Sequence, residues 1–193
     1  MEERKKEKIR WGTLIFMVFI IIGLTSSFVF FGFSGSSQKV KHNGISFVNN
    51  GNVWIAKIDG RHAAFSFLPS EVEDISAFED FHSRLQGKFE IDVTSDFNSS
   101  FNESIALAQH QMGLTLAQYN VFVRQGFTAN NTFNRPVITC DDSTSSVPVV
   151  YFRYGNVSSI SLDGDCIIAE APTHADFIRV KDRLLYGLFG VVI

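Results

Sequence analysis

Apolar residues in this chain form one unbroken block and then many short, punctuated runs, and the two patterns predict different structures. The block covers residues 11–33, WGTLIFMVFIIIGLTSSFVFFGF, and contains no charged residue. Roughly 20 apolar residues cross a bilayer core of about 30 Å as a helix. The block therefore predicts a single transmembrane helix over 11–33, between a basic tail over 1–10 and a polar linker over 34–43.

Beyond residue 43 the runs have strand and helix periods. Alternation predicts strands over 45–48, 53–58 and 62–68, separated by Asn50-Gly51 and Asp59-Gly60. Those dipeptides suit type I′ hairpin turns, whose two central residues need positive φ. The result is a three-stranded meander with Trp54, Ile58, Phe65 and Phe67 facing a helix. Pro69-Ser70 opens that helix, Ser70 and Glu73 have capping-box spacing, and Gly87 stops it. Its stripe is Val72, Ile75, Phe78, Phe81 and Leu85. Strict alternation over 88–94 predicts a half-buried strand with Phe89, Ile91 and Val93 on one side. A second helix runs from near Ser100 through Leu116 on the stripe Phe101, Ile105, Ala108, Met112 and Leu116. Strands follow over 120–127, 136–140, 147–154, 158–162 and 166–170. The last three form a second meander through Gly155-Asn156 and Asp163-Gly164. Thr173, with Asp176 three residues on, caps a final helix with the stripe Phe177, Val180, Leu184 and Leu188. This order predicts an α+β fold: an N-terminal transmembrane helix, then one extracytoplasmic domain over 44–193, with two antiparallel β-meanders packed with about three helices.

Charge sets the expected orientation. Residues 1–10 carry five basic and three acidic groups, a net +2 within a chain of net charge −3, which leaves −5 for residues 11–193. The positive-inside bias holds the N-terminus in the cytoplasm and sends the C-terminal domain out. A cleaved signal peptide is the alternative, with small residues at 34–36, but its apolar region runs to only about 7–15 residues. The acidic domain lacks the basic footprint that nucleic acid needs. Two cysteines, Cys140 and Cys166, suit one disulfide in an oxidising compartment, against the alternative of two buried thiols. Asn-x-Ser/Thr sequons at Asn98, Asn102, Asn130 and Asn156 are candidate glycosylation sites of an external domain.

Catalytic chemistry has no nominated site. His42, His62 and His82 are spaced by twenty and lack the local pairing of zinc ligands. Glu71, Glu73, Asp74, Glu79 and Asp80 make an acidic helix, the first three explained by the positive end of the helix dipole, with a hydrolytic carboxylate pair as the alternative. Asp141-Asp142, and His174 with Asp176, lack a nucleophile on a strained turn. No cofactor or metal motif is present. The uncharged run over 184–193 is too short to span a bilayer and is expected to pack into the core, or else to form a partner surface.

The segment HNGISFVNNGNVWIAKIDGRHAAFSFLPSEVEDI, followed by ITCDD, a hydrophobic hairpin and DCIIAEAP, resembles a group of uncharacterised single-pass membrane proteins of small-genome archaea. The resemblance implies an extracytoplasmic domain with a Cys–Cys pair and brings no activity with it. The expected function is that of a membrane-anchored binding or structural protein of the cell envelope, with a protein partner there. An anchored envelope hydrolase and a pilin-like filament subunit are the alternatives. Gly12 precedes the apolar run as in prepilins, yet no glutamate follows at the fifth position.

Overall fold

The computed structural model describes residues 15–17, 20, 38–79 and 81–192. The chain divides into two units, Met1–Ser37 and Gln38–Ile193. In the first unit only Ile15, Phe16, Met17 and Ile20 are described, and all four are helical. The rest of the span expected over 11–33 lies outside the described residues. Among the described residues no helix is long and apolar enough to cross a membrane.

The second unit is an α+β domain built on two sheets. The first is an antiparallel meander of β1 (Lys39–His42), β2 (Ile45–Asn50), β3 (Val53–Ile58) and β4 (Arg61–Phe65). Strand β1 comes from the stretch expected to be a linker. Asn43-Gly44 turns it into β2 with φ of 46° and 80°, a type I′ pair like Asp59-Gly60 at 49° and 81°. The middle turn differs from expectation. Asn50 pairs with Val53, so Gly51 and Asn52 are its centre, and of these Gly51 alone has positive φ, the type II′ pattern.

The second sheet has six strands: β5 (Ser76–Ala77), β6 (Glu90–Ser95), β7 (Phe122–Gln125), β8 (Val149–Tyr154), β9 (Ser159–Asp163) and β10 (Cys166–Ala171). Their order is β5-β9-β10-β8-β6-β7. Strands β6, β7, β8 and β10 are mutually parallel, and β9 is antiparallel to β10. The expected second meander is therefore absent, because β10 inserts between β8 and β9. The short link 155–158 must cross two strand spacings, about 9–10 Å. It passes so close to β10 that a Cβ on Gly155 would lie 2.7 Å from the Glu170 side chain. Glu170 ties both flanking strands, accepting from Arg153 Nε at 2.9 Å and Ser159 Oγ at 3.2 Å.

Three helices are described in this unit: α1 (Phe81–Leu85), α2 (Asn102–Ala117) and α3 (His174–Leu188). The helix expected from Pro69 to Gly87 is broken. Pro69–Glu71 is a single 3-10 turn, Ser76–Ala77 pairs with β9, and only Phe81–Leu85 is α-helical. The apolar spacing still marks what is buried, since Val72, Ile75, Phe81 and Leu85 are all in the core. Tertiary contacts capture the backbone instead. Arg179 donates to Glu71 O at 2.7 Å and to Asp74 at 2.6 Å, and Phe78 N donates to Ile160 O at 3.0 Å. By contrast Thr173 caps α3 as expected, accepting from Asp176 N at 3.2 Å.

Helix α3 lies between the layers and is buried nearly all round. Phe177, Val180 and Leu184 pack in the main core, and Tyr186 stacks on Phe65 with centroids 4.2 Å apart. Gly187 admits the Phe81 ring, which a Cβ there would meet at 1.9 Å. The uncharged run at 184–193 thus packs inward, with Val191 and Val192 buried. More unexpected are Lys181, Asp182 and Arg183, which are buried as well. Asp182 Oδ2 accepts from Ser66 N and Phe67 N, both at 2.8 Å, and Oδ1 accepts from Lys181. Tyr186 donates to Phe67 O at 2.6 Å. Burial pushes the Asp182 carboxyl up from its ordinary range, against the pull of Lys181 and the two amides.

The second sheet is covered on both faces. Val150, Phe152, Ile167 and Ala169 join the main core, while the alternating Val149, Cys166 and Ile168 meet Ile138 in a second cluster. Ile138 belongs to the connection 126–148, which carries the chain from β7 across β6 to β8. The strand expected at 136–140 reduces to a single bridge, Phe127 to Val137, and a 3-10 turn at Cys140–Asp142. A disulfide joins Cys140 to Cys166 with Cα atoms 5.1 Å apart, fastening this connection to β10. Double coverage also corrects the half-buried reading of β6. Asp92 is buried and bound by Arg124 Nε at 2.8 Å and Nη2 at 2.6 Å, whereas Phe89 is 83 % exposed.

Two stability predictions follow from these contacts. Asp182→Ala strands Lys181 and two amides in the core and is expected to cost about 3–5 kcal/mol in urea denaturation. A loss under about 1 kcal/mol would contradict that role. Replacing Cys140 and Cys166 together by Ala is expected to cost about 3–4 kcal/mol, the loop-closure value for this separation. The loss should leave the first sheet unchanged, read from the Trp54 fluorescence in a Trp11→Phe background.

Candidate functional site

The parallel strands direct their carboxyl ends to one edge of the second sheet. There β6 exits into α2 on the helical face, whereas β7 exits into the connection 126–148 on the opposite face. Adjacent parallel strands whose exits diverge leave a crevice between them, where ligands of open α/β sheets commonly bind. A crevice of about 350 Å³ lies here. Ser95 and Gln125 mark the strand ends, Asn102 and Gln109 come from α2, and Phe127 and Phe133 come from the connection. Phe97, Phe127 and Phe133 form a chain of rings with successive centroids 6.1 and 5.8 Å apart.

The polar groups of α2 set this crevice apart. Gln109 is 4 % exposed, and its Nε2 has no hydrogen-bond partner. Asn102 donates from Nδ2 to Phe97 O, while its buried Oδ1 has no partner. An unpaired buried polar group costs about 1–3 kcal/mol. Gln109 and Asn102 both line the crevice. Glu103 and Arg135 stand exposed at the rim with opposite charges.

A second, more polar cleft of about 640 Å³ lies on the other side of the β6 exit, lined by Asp96, Ser99, Phe101, Tyr151, Arg153 and Tyr154. Phe101 stacks on Tyr154 at 5.5 Å and contacts the His174 ring at 4.8 Å. His174 Nδ1 in turn lies 2.6 Å from Ser104 Oγ. Such a pair serves nucleophilic catalysis when a third group orients the base. Asp176, two residues from His174, is instead engaged by Thr173 Oγ1 at 2.6 Å and Arg179 Nη1 at 2.9 Å. Its carboxyl is raised by burial, and these hydrogen bonds outweigh that and hold it below the ordinary range. The Ser104–His174 contact links the first turns of α2 and α3.

The other residues singled out in the sequence are dispersed. His42 ends β1 at 3.3 Å from Glu73, His62 is exposed on β4, and His82 sits in α1. Glu71 accepts from Leu68 N at 2.6 Å, Asp74 pairs with Arg179, and Asp80 lies outside the described residues. Asp142 accepts from the Thr139 amide and hydroxyl, which hold its carboxyl below the ordinary range. Among the described residues no group of three His, Cys, Asp or Glu side chains is placed to hold a metal ion. Asn98, Asn130 and Asn156 are exposed, while the Asn102 side chain is half-buried at the crevice.

Sequence reasoning passed over Gln109, although a signal was present. It falls four residues after Ile105 and three before Met112, a polar residue on the apolar stripe of α2. Its partner in the crevice, Asn102, drew notice only as a sequon. No protein-family model, no curated protein and no solved structure matches this chain.

Proposed function

We propose that this chain is a membrane-anchored extracytoplasmic binding protein of a cell envelope, of the single-pass kind that its sequence resembles. The crevice between the β6 and β7 exits carries the binding part of this reading. It combines aromatic walls with buried amide groups that lack partners, a composition suited to holding a ligand. The Cys140–Cys166 disulfide and the exposed Asn98, Asn130 and Asn156 agree with an oxidising, external compartment. The apolar block at 11–33, flanked by five basic residues at 1–10, supplies the anchor and its orientation.

An anchored hydrolase is the second reading, and the Ser104–His174 contact at 2.6 Å favours it. Turnover of an activated ester that disappears in Ser104→Ala would select that reading over the first.

Topology is the direct test. Protease added to intact cells is expected to cut the C-terminal domain, with the peptide containing Cys140 and Cys166 recovered oxidised and residues 1–10 recovered only after lysis. Cross-linking in the same membranes is expected to capture an envelope protein. A C-terminal domain that is cut only after lysis, with reduced cysteines, would overturn the external placement.

A further inference from the structure

We propose that the crevice at the carboxyl ends of β6 and β7 binds a small, neutral ligand that presents a secondary amide beside an apolar face. This deepens the reading of the domain as a binding module and rests on it, but not on which side of a membrane the domain lies.

Three observations converge on that chemistry. The unpartnered groups are one donor, Gln109 Nε2, and one acceptor, Asn102 Oδ1. A secondary amide offers the matching pair, a carbonyl to accept from Gln109 and an N–H to donate to Asn102. Their places on α2 are seven residues apart, so they share one helix face about two turns, or ~10 Å, apart along the axis. The two hydrogen-bonding sides of a trans amide point in opposite directions, which suits partners placed at two depths of one crevice. The walls supply the second observation, since Phe97, Phe127 and Phe133 give apolar ring surface with no polar tip. Third, the rim charges of Glu103 and Arg135 are opposite and both exposed, so the site has no net charge to attract an ion. The volume of about 350 Å³ admits a single sugar or amino-acid unit.

Other buried unpaired atoms among the described residues have local compensation. His42 Nε2 faces the Glu73 carboxylate at 3.3 Å. Arg183 Nε belongs to a guanidinium that donates to Val192 O at 3.0 Å and lies 5.1 Å from the centre of the Phe81 ring. Asn102 is bonded only through Nδ2, to Phe97 O, and what sets Asn102 Oδ1 and Gln109 Nε2 apart is that both belong to residues lining one crevice.

An amide of this kind has two sources, an acetylated sugar or an amino-acid unit, and the experiment separates them. The full chain, in a sugar-free detergent, is titrated with N-acetylglucosamine, with N-acetyl-leucine methylamide and with glucose. The readout is the side-chain amide resonances of Asn102 and Gln109, assigned from Gln109→Leu and Asn102→Ala. A saturable shift with either amide compound, and none with glucose, is expected and identifies the source. Gln109→Leu should weaken binding by about tenfold or more, the equivalent of one hydrogen bond. It should also raise the melting temperature, because it removes an unsatisfied donor. Ala106→Trp, which fills the crevice from its outer wall, should abolish binding with the fold intact. No saturable shift with either amide compound overturns the proposal, as does an equal response to glucose. A lower melting temperature in Gln109→Leu would overturn its premise that Gln109 is unsatisfied.

Discussion

The carboxylate of Asp182 is the group on which the two-sheet arrangement depends. Where β4 leaves the first sheet, the amides of Ser66 and Phe67 turn into the interior and lose both water and strand partners. One carboxylate oxygen accepts from both at 2.8 Å, and the other accepts from Lys181. Tyr186, one turn along the same helix, takes the carbonyl of Phe67. Backbone groups leaving one sheet are thereby satisfied by the helix that backs the other. A buried ion pair is poor as a source of net stability, since desolvation offsets much of its attraction. Its effect here is positional: it fixes where the chain departs from β4 and which face of α3 meets the first sheet.

With α3 held, the rest of the second sheet is arranged around it. The helix follows β10, the strand inserted between β8 and β9, where Glu170 bridges the flanking strands and Gly155 gives the link room to pass. Helix α2 packs alongside α3 and covers β6 and β7. Among the described residues no helix covers the opposite face, where the disulfide fastens the connection 126–148 over Val149 and Ile168. One strand exit therefore goes to each face, and the crevice between them follows from this asymmetry.

Local chemistry was the legible part of this fold. Asp59-Gly60 at a turn, Thr173 at a helix start and the stripe of α2 each depend on residues within one or two turns of each other. The stretch 69–87 misled because its apolar spacing is real while its backbone partners, Arg179 and Ile160, lie about a hundred residues away. Gly155-Asn156 reads as an ordinary hairpin turn, and no local signal says that a later strand will enter between its arms. Lys181-Asp182-Arg183 reads as the polar face of an amphipathic helix, and only burial on every side makes it a core element. For Gln109 the same rule applies with opposite sign. A polar residue on an apolar stripe is legible as an anomaly, but its neighbours in the crevice come from β6, β7 and a loop that periodicity does not place.

Asp182 and Gln109 together give the strongest reason to regard the crevice as built for occupation. Both are polar side chains drawn into the interior of one small domain, where an unsatisfied group costs about 1–3 kcal/mol against a total stability of only about 5–15. The chain satisfies Asp182 completely, with the consecutive amides of Ser66 and Phe67 on one oxygen and the neighbouring Lys181 on the other. It does nothing comparable for Gln109, which interrupts the apolar stripe of Ile105, Ala108 and Met112. A fold that completes the Asp182 network and leaves two amide atoms open together where two strand exits part is consistent with a missing partner outside the chain.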